Sequence, residues 1–213
     1  MTPISRTRVK ICGITRPGDG VTAAALGADA IGLVFYPPSP RFVVVATARR
    51  IVAALPPFVT VVGLFMNAEP AAVQTVIASM PLHLLQFHGD ETPGYCAQFD
   101  RPYLKAVPMG ASADILDYER RFATAAGLLL DSHGGDKTGG SGQGFDWTRI
   151  PVERHKPLIL AGGLHPGNVA AAIRQVRPYA VDVSSGVETA RGIKDAELMR
   201  AFFRGVYDGE SPA

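Results

Sequence analysis

Short apolar runs recur along the chain at a steady spacing. Each run is four to eight residues long, is rich in valine, isoleucine, leucine or phenylalanine, and is bounded by glycine, proline or aspartate. Continuous apolar runs of this length are typical of strands that are buried on both faces of a sheet. We therefore predict eight strands, at residues 9–14, 30–36, 60–66, 82–87, 103–107, 127–130, 158–161 and 180–183.

Segments with the periodicity of helices lie between these runs. Residues 46–55 place Ile51 and Leu55 on one helical face. Further helices are predicted at residues 71–80, 168–176 and 196–206, and Asp195 provides a start signal for the last of them. Strands that alternate with helices predict a parallel sheet whose strands are joined by crossover helices.

This alternation places the chain in the α/β class and favours a (β/α)8 barrel, or TIM barrel, with residues 1–213 as a single domain. Divided over eight units, the 213 residues give about 27 each, which suffices for one strand, one helix and two turns. The alternative is an open doubly wound sheet. Such a sheet usually carries a G-x-G-x-x-G turn after an early strand, and the first turn here, CGITRPGDG, lacks that pattern.

Composition narrows the class of protein further. Apolar residues make up 47% of the chain and charged residues 19%, which is typical of a globular protein. The formal net charge is +2 and the lysines and arginines are scattered, so we expect no nucleic-acid partner. No apolar stretch is long enough for a membrane span or a signal peptide, which predicts a cytoplasmic protein without a membrane partner. Cys12 and Cys96 are too few for a disulfide scaffold or a zinc module.

Polar residues gather where the predicted strands end. In a (β/α)8 barrel the reactive groups lie at these carboxyl ends, because the loops that follow the strands build the site there. The candidate site residues are Cys12, Arg41, Gln86, His88, Asp131, Gly162, Gly163, Asp182, Ser184, Ser185 and Gly186.

Cys12 is the candidate base. Alternation along the first strand puts Lys10 and Cys12 on one face and the apolar side chains on the other, so we expect the thiol to point into the barrel mouth. We expect Lys10, one layer below, to lower the pKa of the thiol and to favour the thiolate. The alternative is a small buried apolar residue, which is our interpretation of Cys96.

Asp131 is the candidate acid. It follows the very apolar run at residues 127–130, and a carboxyl group against an apolar wall is expected to have a raised pKa. The alternative is an aspartate that caps a loop. The glycine-rich segment 132–146 comes directly afterwards and is interpreted as a lid over the site rather than as a plain connector.

Two glycine-containing turns and one arginine indicate where anionic groups bind. Residues 162–163 and 184–186 follow the seventh and eighth strands, where backbone N–H groups of this architecture often bind phosphate. Arg41 follows a proline-rich loop and suits a carboxylate, unless it is a solvated surface residue. Gln86 and His88 are interpreted either as site residues or as hydrogen-bonded structural residues.

Seven regions of the sequence, in order from residue 9 to residue 195, resemble the phosphoribosylanthranilate isomerase family. They are VKICGIT at 9–15, GADAIGLVFYPPSPR at 27–41, LLQFHGDE at 84–91, LLLDS at 128–132, GGSGQGFDW at 139–147, LAGGLHPGNV at 160–169, and VDVSSGVE with GIKD at 181–195. They span nearly the whole chain, and the combination of VKICGIT with VDVSSGVE is highly specific.

The resemblance implies a (β/α)8 barrel of tryptophan biosynthesis. Members of the family convert N-(5-phosphoribosyl)anthranilate to 1-(2-carboxyphenylamino)-1-deoxyribulose 5-phosphate by an Amadori rearrangement, without metal or organic cofactor. The resemblance assigns the base to Cys12, the acid to Asp131 and the arginine that binds the substrate carboxylate to Arg41. The phosphate-binding residues correspond to Gly162, Gly163, Ser184, Ser185 and Gly186. The implied partner is a small phosphorylated substrate, with other enzymes of the tryptophan pathway as functional neighbours.

Two further hypotheses compete with this one. The sister isomerase of histidine biosynthesis performs the same rearrangement on a larger, doubly phosphorylated substrate, but that family has an aspartate near the end of its first strand, where this chain has Cys12. A barrel that only binds phosphate would keep the glycine turns and would need neither Cys12 nor Asp131. The sequence therefore favours the anthranilate-derived substrate.

Overall fold

Eight parallel strands close into a barrel in the computed structural model, which describes residues 6–110, 113–132 and 145–211. The strands are β1 (Arg8–Cys12), β2 (Ala30–Val34), β3 (Thr60–Phe65), β4 (Leu84–Phe87), β5 (Tyr103–Pro108), β6 (Gly127–Asp131), β7 (Leu158–Leu160) and β8 (Ala180–Val183). Each strand pairs with the next along the chain, and β1 pairs with β8 to close the ring. The predicted (β/α)8 barrel is confirmed, and the open doubly wound sheet is wrong.

The strand ends differ from the apolar runs in ways that shape the mouth of the barrel. The run at residues 9–14 continues past the end of β1, because Gly13 has a φ of +73° and turns the chain out of the sheet. In contrast, β6 extends one residue beyond the run at 127–130 and includes Asp131. The carboxyl group of Asp131 is therefore fixed by the sheet rather than by a loop.

Seven helices lie within the described residues, six of them between successive barrel strands and the seventh after β8. They are α1 (Pro17–Ala25), α2 (Val45–Ala54), α3 (Pro70–Ser79), α4 (Pro93–Ala97), α5 (Ile115–Arg121), α6 (Val169–Val176) and α7 (Ala196–Glu210). Asp195 caps α7 by accepting a hydrogen bond from Leu198 N at 2.8 Å, as the start signal predicts. Helix α5 was not predicted from the sequence. Within the ranges that the structure describes, no helix combines the length and the apolar character that crossing a bilayer requires.

Two apolar layers surround the strands. The larger layer lies between strands and helices and includes Ile11, Ile51 and Phe202, all fully buried. The smaller layer lies inside the barrel and consists of Leu104, Ala106, Leu129, Ile159, Ala161 and Ala180. Beyond this inner layer, toward the carboxyl ends of the strands, the inward positions carry polar side chains. The interior thus has an apolar floor and a polar mouth.

A short antiparallel hairpin follows β8 and was not predicted from the sequence. It consists of β9 (Glu188–Ala190) and β10 (Ile193–Lys194), with Gly192 between them at a φ of +80°. The side chain of Lys194 is buried, and its Nζ donates to the carbonyl oxygen of Ser184 at 3.1 Å. The hairpin therefore brings a cation to the end of β8.

Candidate active site

Four side chains from four strands lie inside the mouth of the barrel. They are Cys12 from β1, Gln86 from β4, Asp131 from β6 and Asp182 from β8, and all four are buried. Lys10 lies one layer deeper on β1, where its Nζ donates to Asp182 Oδ1 at 2.9 Å. Lys10 and Asp182 are neighbours on the paired strands β1 and β8, and Asp182 also interacts electrostatically with Cys12, Asp131 and His88. Lys10 and Cys12 therefore point inward, as strand alternation predicts.

The pKa of the Cys12 thiol lies above that of an ordinary cysteine, so the expectation of a lowered pKa is wrong. Burial is the largest cause, because removing the thiolate from water disfavours its charge, and Asp182 adds to the rise. Lys10 and Lys194 lower the pKa, but they do not outweigh burial. The free enzyme therefore holds a protonated thiol at neutral pH.

Gly32 on β2 provides the space that the thiol occupies. A Cβ atom at this position would lie 2.8 Å from Cys12 Sγ and 3.2 Å from Lys10 Cε. Both distances are below ordinary contact distances between nonbonded heavy atoms, so any larger residue would displace one of the two side chains. Gly32 was not among the candidate site residues, although a glycine inside an apolar strand is a signal for close approach of another group.

Asp131 lies at the end of a chain of hydrogen bonds that begins inside the barrel. Gln86 Nε2 lies 2.9 Å from His88 Nδ1, and His88 Nε2 lies 2.9 Å from Asp131 Oδ2. Gln86 has no exposed surface, and the side chains of His88 and Asp131 are 12% and 11% exposed. The structure thus joins the two residues of uncertain role to the candidate acid.

Arg41 is not a solvated surface residue, because it forms a buried ion triad with the β9–β10 hairpin. Its Nε and Nη2 atoms each donate to the Glu188 carboxylate at 2.8 Å, and Lys194 Nζ donates to the same carboxylate at 2.7 Å. Burial alone would raise the pKa of Glu188, but the two cations outweigh it and the pKa is lowered. Two cations on one carboxylate leave a net positive charge beside the strand ends.

Glu188 and Lys194 were not among the candidate site residues, although both fall within the last of the seven sequence regions quoted above, VDVSSGVE with GIKD. Ser184 connects this triad to the first strand, since its Oγ donates to Cys12 O at 3.1 Å and lies 3.3 Å from Lys194 Nζ. The triad is therefore part of the wall beside the candidate base.

The turns after β7 and β8 require glycine because of close packing. Gly162 and Gly163 have φ values of +76° and +71°, and a Cβ atom on Gly162 would lie 2.8 Å from Asp131 Oδ1. A Cβ atom on Gly186 would overlap the carbonyl oxygen of Leu164. The two turns thus lie side by side, next to the candidate acid, while phosphate binding by residues 162–163 and 184–186 stays a prediction.

Two other predictions concern the surroundings of the site. The lid predicted at residues 132–146 falls mainly on residues 133–144, which lie outside the described residues. In the parts of the chain that the structure describes, no group of three or more histidine, cysteine, aspartate or glutamate side chains is arranged to hold a metal ion.

A closed parallel barrel with buried thiol and carboxyl groups and a largely buried imidazole at the carboxyl ends of its strands defines the class of (β/α)8-barrel enzymes. Comparison with known proteins then identifies the family. The sequence model described as N-(5'phosphoribosyl)anthranilate (PRA) isomerase matches residues 9–205. The N-(5'-phosphoribosyl)anthranilate isomerase of Leptothrix cholodnii is 54% identical over 207 residues, which are 97% of this chain and 94% of the relative. The chain therefore belongs to the PRA isomerase family and is an isomerase.

Solved structures agree with this family. The crystal structure of phosphoribosyl anthranilate isomerase from Thermus thermophilus has a TM-score of 0.85 and 37% sequence identity, and the match covers 94% of this chain and 98% of that chain. A second phosphoribosyl anthranilate isomerase, with a TM-score of 0.78 and 39% identity, was solved in complex with reduced 1-(o-carboxyphenylamino)-1-deoxyribulose 5-phosphate. That match covers 94% of this chain and 98% of the other.

Proposed function

We propose that the chain converts N-(5'-phosphoribosyl)anthranilate to 1-(2-carboxyphenylamino)-1-deoxyribulose 5-phosphate in tryptophan biosynthesis, by an Amadori rearrangement that uses no metal or organic cofactor. The observation that carries this proposal is the presence of two proton-exchanging groups in one barrel mouth, Cys12 on β1 and Asp131 on β6. The family supplies the substrate. A relative was solved with the reduced form of this product, which has the same carboxylate and phosphate groups.

Asp131 supplies the first proton. Opening of the ribose ring breaks the bond between C1′ and the ring oxygen, while the anthranilate nitrogen donates its electron pair to C1′ and forms an iminium ion. The departing ring oxygen needs a proton, which a neutral carboxyl group provides. The resulting Asp131 carboxylate is then stabilised by a hydrogen bond from His88 Nε2, 2.9 Å away.

Cys12 removes the second proton. The iminium ion acidifies the C2′ proton, which the thiolate takes, and the electron pair of the C–H bond forms the C1′–C2′ double bond of an enolamine. A proton then adds at C1′ and the C2′ hydroxyl loses its own, which gives the ketone without gain or loss of atoms. The Cys12 thiol first releases its own proton to water at the barrel mouth, and the positive charge of the iminium ion favours this release. Because its pKa is raised, the resulting thiolate is strongly basic.

Two anion sites place the sugar between acid and base. Arg41 shares the Glu188 carboxylate with Lys194, so it is only partly neutralised and keeps positive charge for the substrate carboxylate. The turns at residues 162–163 and 184–186 offer backbone N–H groups to the phosphate. Binding at both ends fixes the sugar in the orientation that the proton transfers require. Asp182 and His88 complete the wall, and Gln86 lies behind His88.

The test is turnover of N-(5'-phosphoribosyl)anthranilate, generated in place from anthranilate and phosphoribosyl pyrophosphate by its transferase and followed by loss of substrate fluorescence. We expect rapid turnover by the wild type. Cys12→Ala and Asp131→Asn should each lower kcat by about 10²–10⁴-fold, because each removes one proton-transfer group.

Cys96→Ala is the matched control, because Cys96 is a buried thiol of α4 that packs in the outer apolar layer. This variant should keep the wild-type kcat. An inactive wild type would overturn the substrate assignment, and normal turnover by Cys12→Ala or Asp131→Asn would overturn the role of that residue.

The same proposal extends to the setting of the reaction. We infer that residues 1–213 act as one domain in the cytoplasm. The partner is the small phosphorylated substrate, and the functional neighbours are the enzymes that make this substrate and consume the product.

A further inference from the structure

We propose that Gln86 is a positioning residue that selects the tautomer of His88 and thereby the protonation state of Asp131 in the catalytic cycle. The proposal rests on the proposed role of Asp131 as the acid. Gln86 has no exposed surface, so it acts through His88 rather than by touching the substrate.

The geometry links the three side chains in a single line. Gln86 on β4 and His88 just after the same strand both point inward, and their facing nitrogen atoms lie 2.9 Å apart. The other ring nitrogen of His88 lies 2.9 Å from Asp131 Oδ2 on β6. The imidazole ring is thus in hydrogen-bond contact through both nitrogen atoms. Because a neutral ring carries a single N–H, the group that faces one nitrogen determines whether the other nitrogen donates or accepts.

The present orientation of the amide favours Asp131 as a carboxylate. When Gln86 Nε2 donates to His88 Nδ1, that nitrogen must be unprotonated, so a neutral ring carries its proton on Nε2. Nε2 then donates to Asp131 Oδ2, and a donated hydrogen bond favours the carboxylate over the neutral carboxyl group. This is the state of the acid after it has given its proton to the ring oxygen of the substrate.

A half-turn of the amide produces the opposite state. Gln86 Oε1 would then accept from a protonated Nδ1, and the unprotonated Nε2 would accept a hydrogen bond from the protonated carboxyl group of Asp131. In the present orientation Oε1 is buried without a hydrogen-bond partner among the described residues. No hydrogen bond at Oε1 therefore holds the amide in its present orientation. Because the amide carries both a donor and an acceptor, it can hydrogen-bond to either tautomer of His88.

Among the described residues, charged groups near this line of side chains come from two other strands. Asp182 on β8 interacts electrostatically with both Asp131 and His88, and Lys10 on β1 neutralises Asp182 through its ion pair. Cys12 lies on the same face of β1 as Lys10 and interacts with it electrostatically. These groups are unchanged in variants of Gln86, so a change in the pH profile of such variants arises from the substituted side chain at position 86.

The direct test is the tautomer of His88, read from the ¹⁵N chemical shifts of its ring in the full-length protein, with His88→Gln used for assignment. In the wild type we expect the Nε2–H tautomer. In Gln86→Glu, an ionised carboxylate accepts but cannot donate, so His88 should carry a proton on Nδ1, as the other tautomer or as an imidazolium ion. Identical His88 ring shifts in the two proteins would overturn the proposal.

The kinetic test uses Gln86→Glu and Gln86→Met. We expect kcat to fall by about tenfold in each variant, which is part of the rate enhancement that a general acid contributes. KM should stay within about twofold of the wild type. In Gln86→Glu the added negative charge should move the high-pH limb of the kcat profile to higher pH, because it holds the proton shared by His88 and Asp131 more tightly. Gln86→Met has no charge and should lower kcat without that shift.

Gln74→Glu on the exposed face of α3 is the matched control and should match the wild type in kcat and in pH profile. Unchanged kcat and pH profile in both Gln86 variants would overturn the proposal even if Asp131→Asn is inactive. If Asp131→Asn keeps full turnover, the acid assignment fails, while the ring shifts of His88 still decide whether Gln86 sets the tautomer.

Discussion

The ammonium group of Lys10 lies 2.9 Å from Asp182 Oδ1, inside the barrel and one layer below the Cys12 thiol. Burial alone would lower the pKa of Lys10, but the attraction of Asp182 and Cys12 outweighs it and the pKa is raised. Lys10 is therefore a permanent cation beneath a thiol whose own pKa burial has raised. The two residues of this ion pair also join the first strand of the barrel to the last.

The first prediction concerns the reactivity of Cys12. Because burial raises the pKa of its thiol and Lys10 opposes that rise, Lys10→Met should raise the pKa further and slow alkylation at a given pH. The rate of reaction with iodoacetamide, measured as a function of pH in both proteins, gives the midpoint of thiol ionisation, which is the pH at which half of the Cys12 thiol is deprotonated.

Cys12→Ala provides the blank for this experiment, since burial raises the pKa of Cys96 to about 12 and that thiol reacts slowly. Lys10→Met/Asp182→Asn is the control for the unpaired carboxylate that Lys10→Met leaves behind. An unchanged midpoint in Lys10→Met would exclude Lys10 as a group that tunes the thiol.

The second prediction concerns the space beside the thiol. In Gly32→Ala the added Cβ atom would lie 2.8 Å from Cys12 Sγ, so the thiol must move. Displacement of a reacting group by about 1 Å costs roughly a hundredfold in rate, and kcat should fall by about that factor. Gly18→Ala on α1 is the control, because no atom lies within 4 Å of its added Cβ. Equal kcat in the two variants would show that the position of the thiol does not limit the reaction.

The third prediction concerns stability against acid. The pKa of Glu188 is lowered because Arg41 and Lys194 outweigh burial. A lowered pKa in the folded state contributes stability above the ordinary glutamate pKa, about 4.3, and this contribution is lost as the pH falls through the folded value. Glu188→Gln should therefore lower the free energy of unfolding at pH 7 by about 3–5 kcal/mol, and the difference should shrink in acid.

Urea unfolding at several pH values measures this difference. Glu197→Gln is the matched control, because Glu197 forms an exposed ion pair with Arg200 on α7 and its loss should change stability little. If the unfolding free energy of Glu188→Gln lies below that of the wild type by the same amount from pH 7 to strongly acidic pH, the assignment of the ion triad is contradicted.

The fourth prediction concerns substrate binding by Arg41. Charge-assisted hydrogen bonds contribute about 1.5–3 kcal/mol, so Arg41→Ala should raise KM by roughly tenfold to a hundredfold while kcat changes less. Arg50→Ala on the exposed face of α2 should leave both constants unchanged. A wild-type KM in Arg41→Ala would remove Arg41 from the substrate-binding residues.

The sequence predicted the barrel and much of its mouth because those features depend on local patterns. Continuous apolar runs predict the eight strands, and alternation within β1 is enough to point Lys10 and Cys12 inward. The pKa of Cys12 was predicted in the wrong direction, because strand order shows the neighbouring Lys10 but not the depth of burial that barrel closure produces. Glu188 and Lys194 were missed because their hairpin has too few residues to show strand alternation.

The line of hydrogen bonds from Gln86 through His88 to Asp131 could not be predicted from the sequence either. Strand ends identified each residue, but their contact joins β4 to β6, and no spacing along the chain reports which inward side chains of a closed barrel meet. Gly32 was missed for the same reason, because its neighbour Cys12 comes from a different strand.

The pairing of β1 with β8 has a consequence for how the protein is made. Lys10 and Asp182 are 172 positions apart, so a nascent chain on the ribosome cannot form this ion pair until nearly all of the protein has been synthesised. Cys12, Asp131 and the turn after β8 likewise come from early, middle and late parts of the chain. Incomplete translation products thus have no assembled site, and catalytic competence begins with the last strand to leave the ribosome.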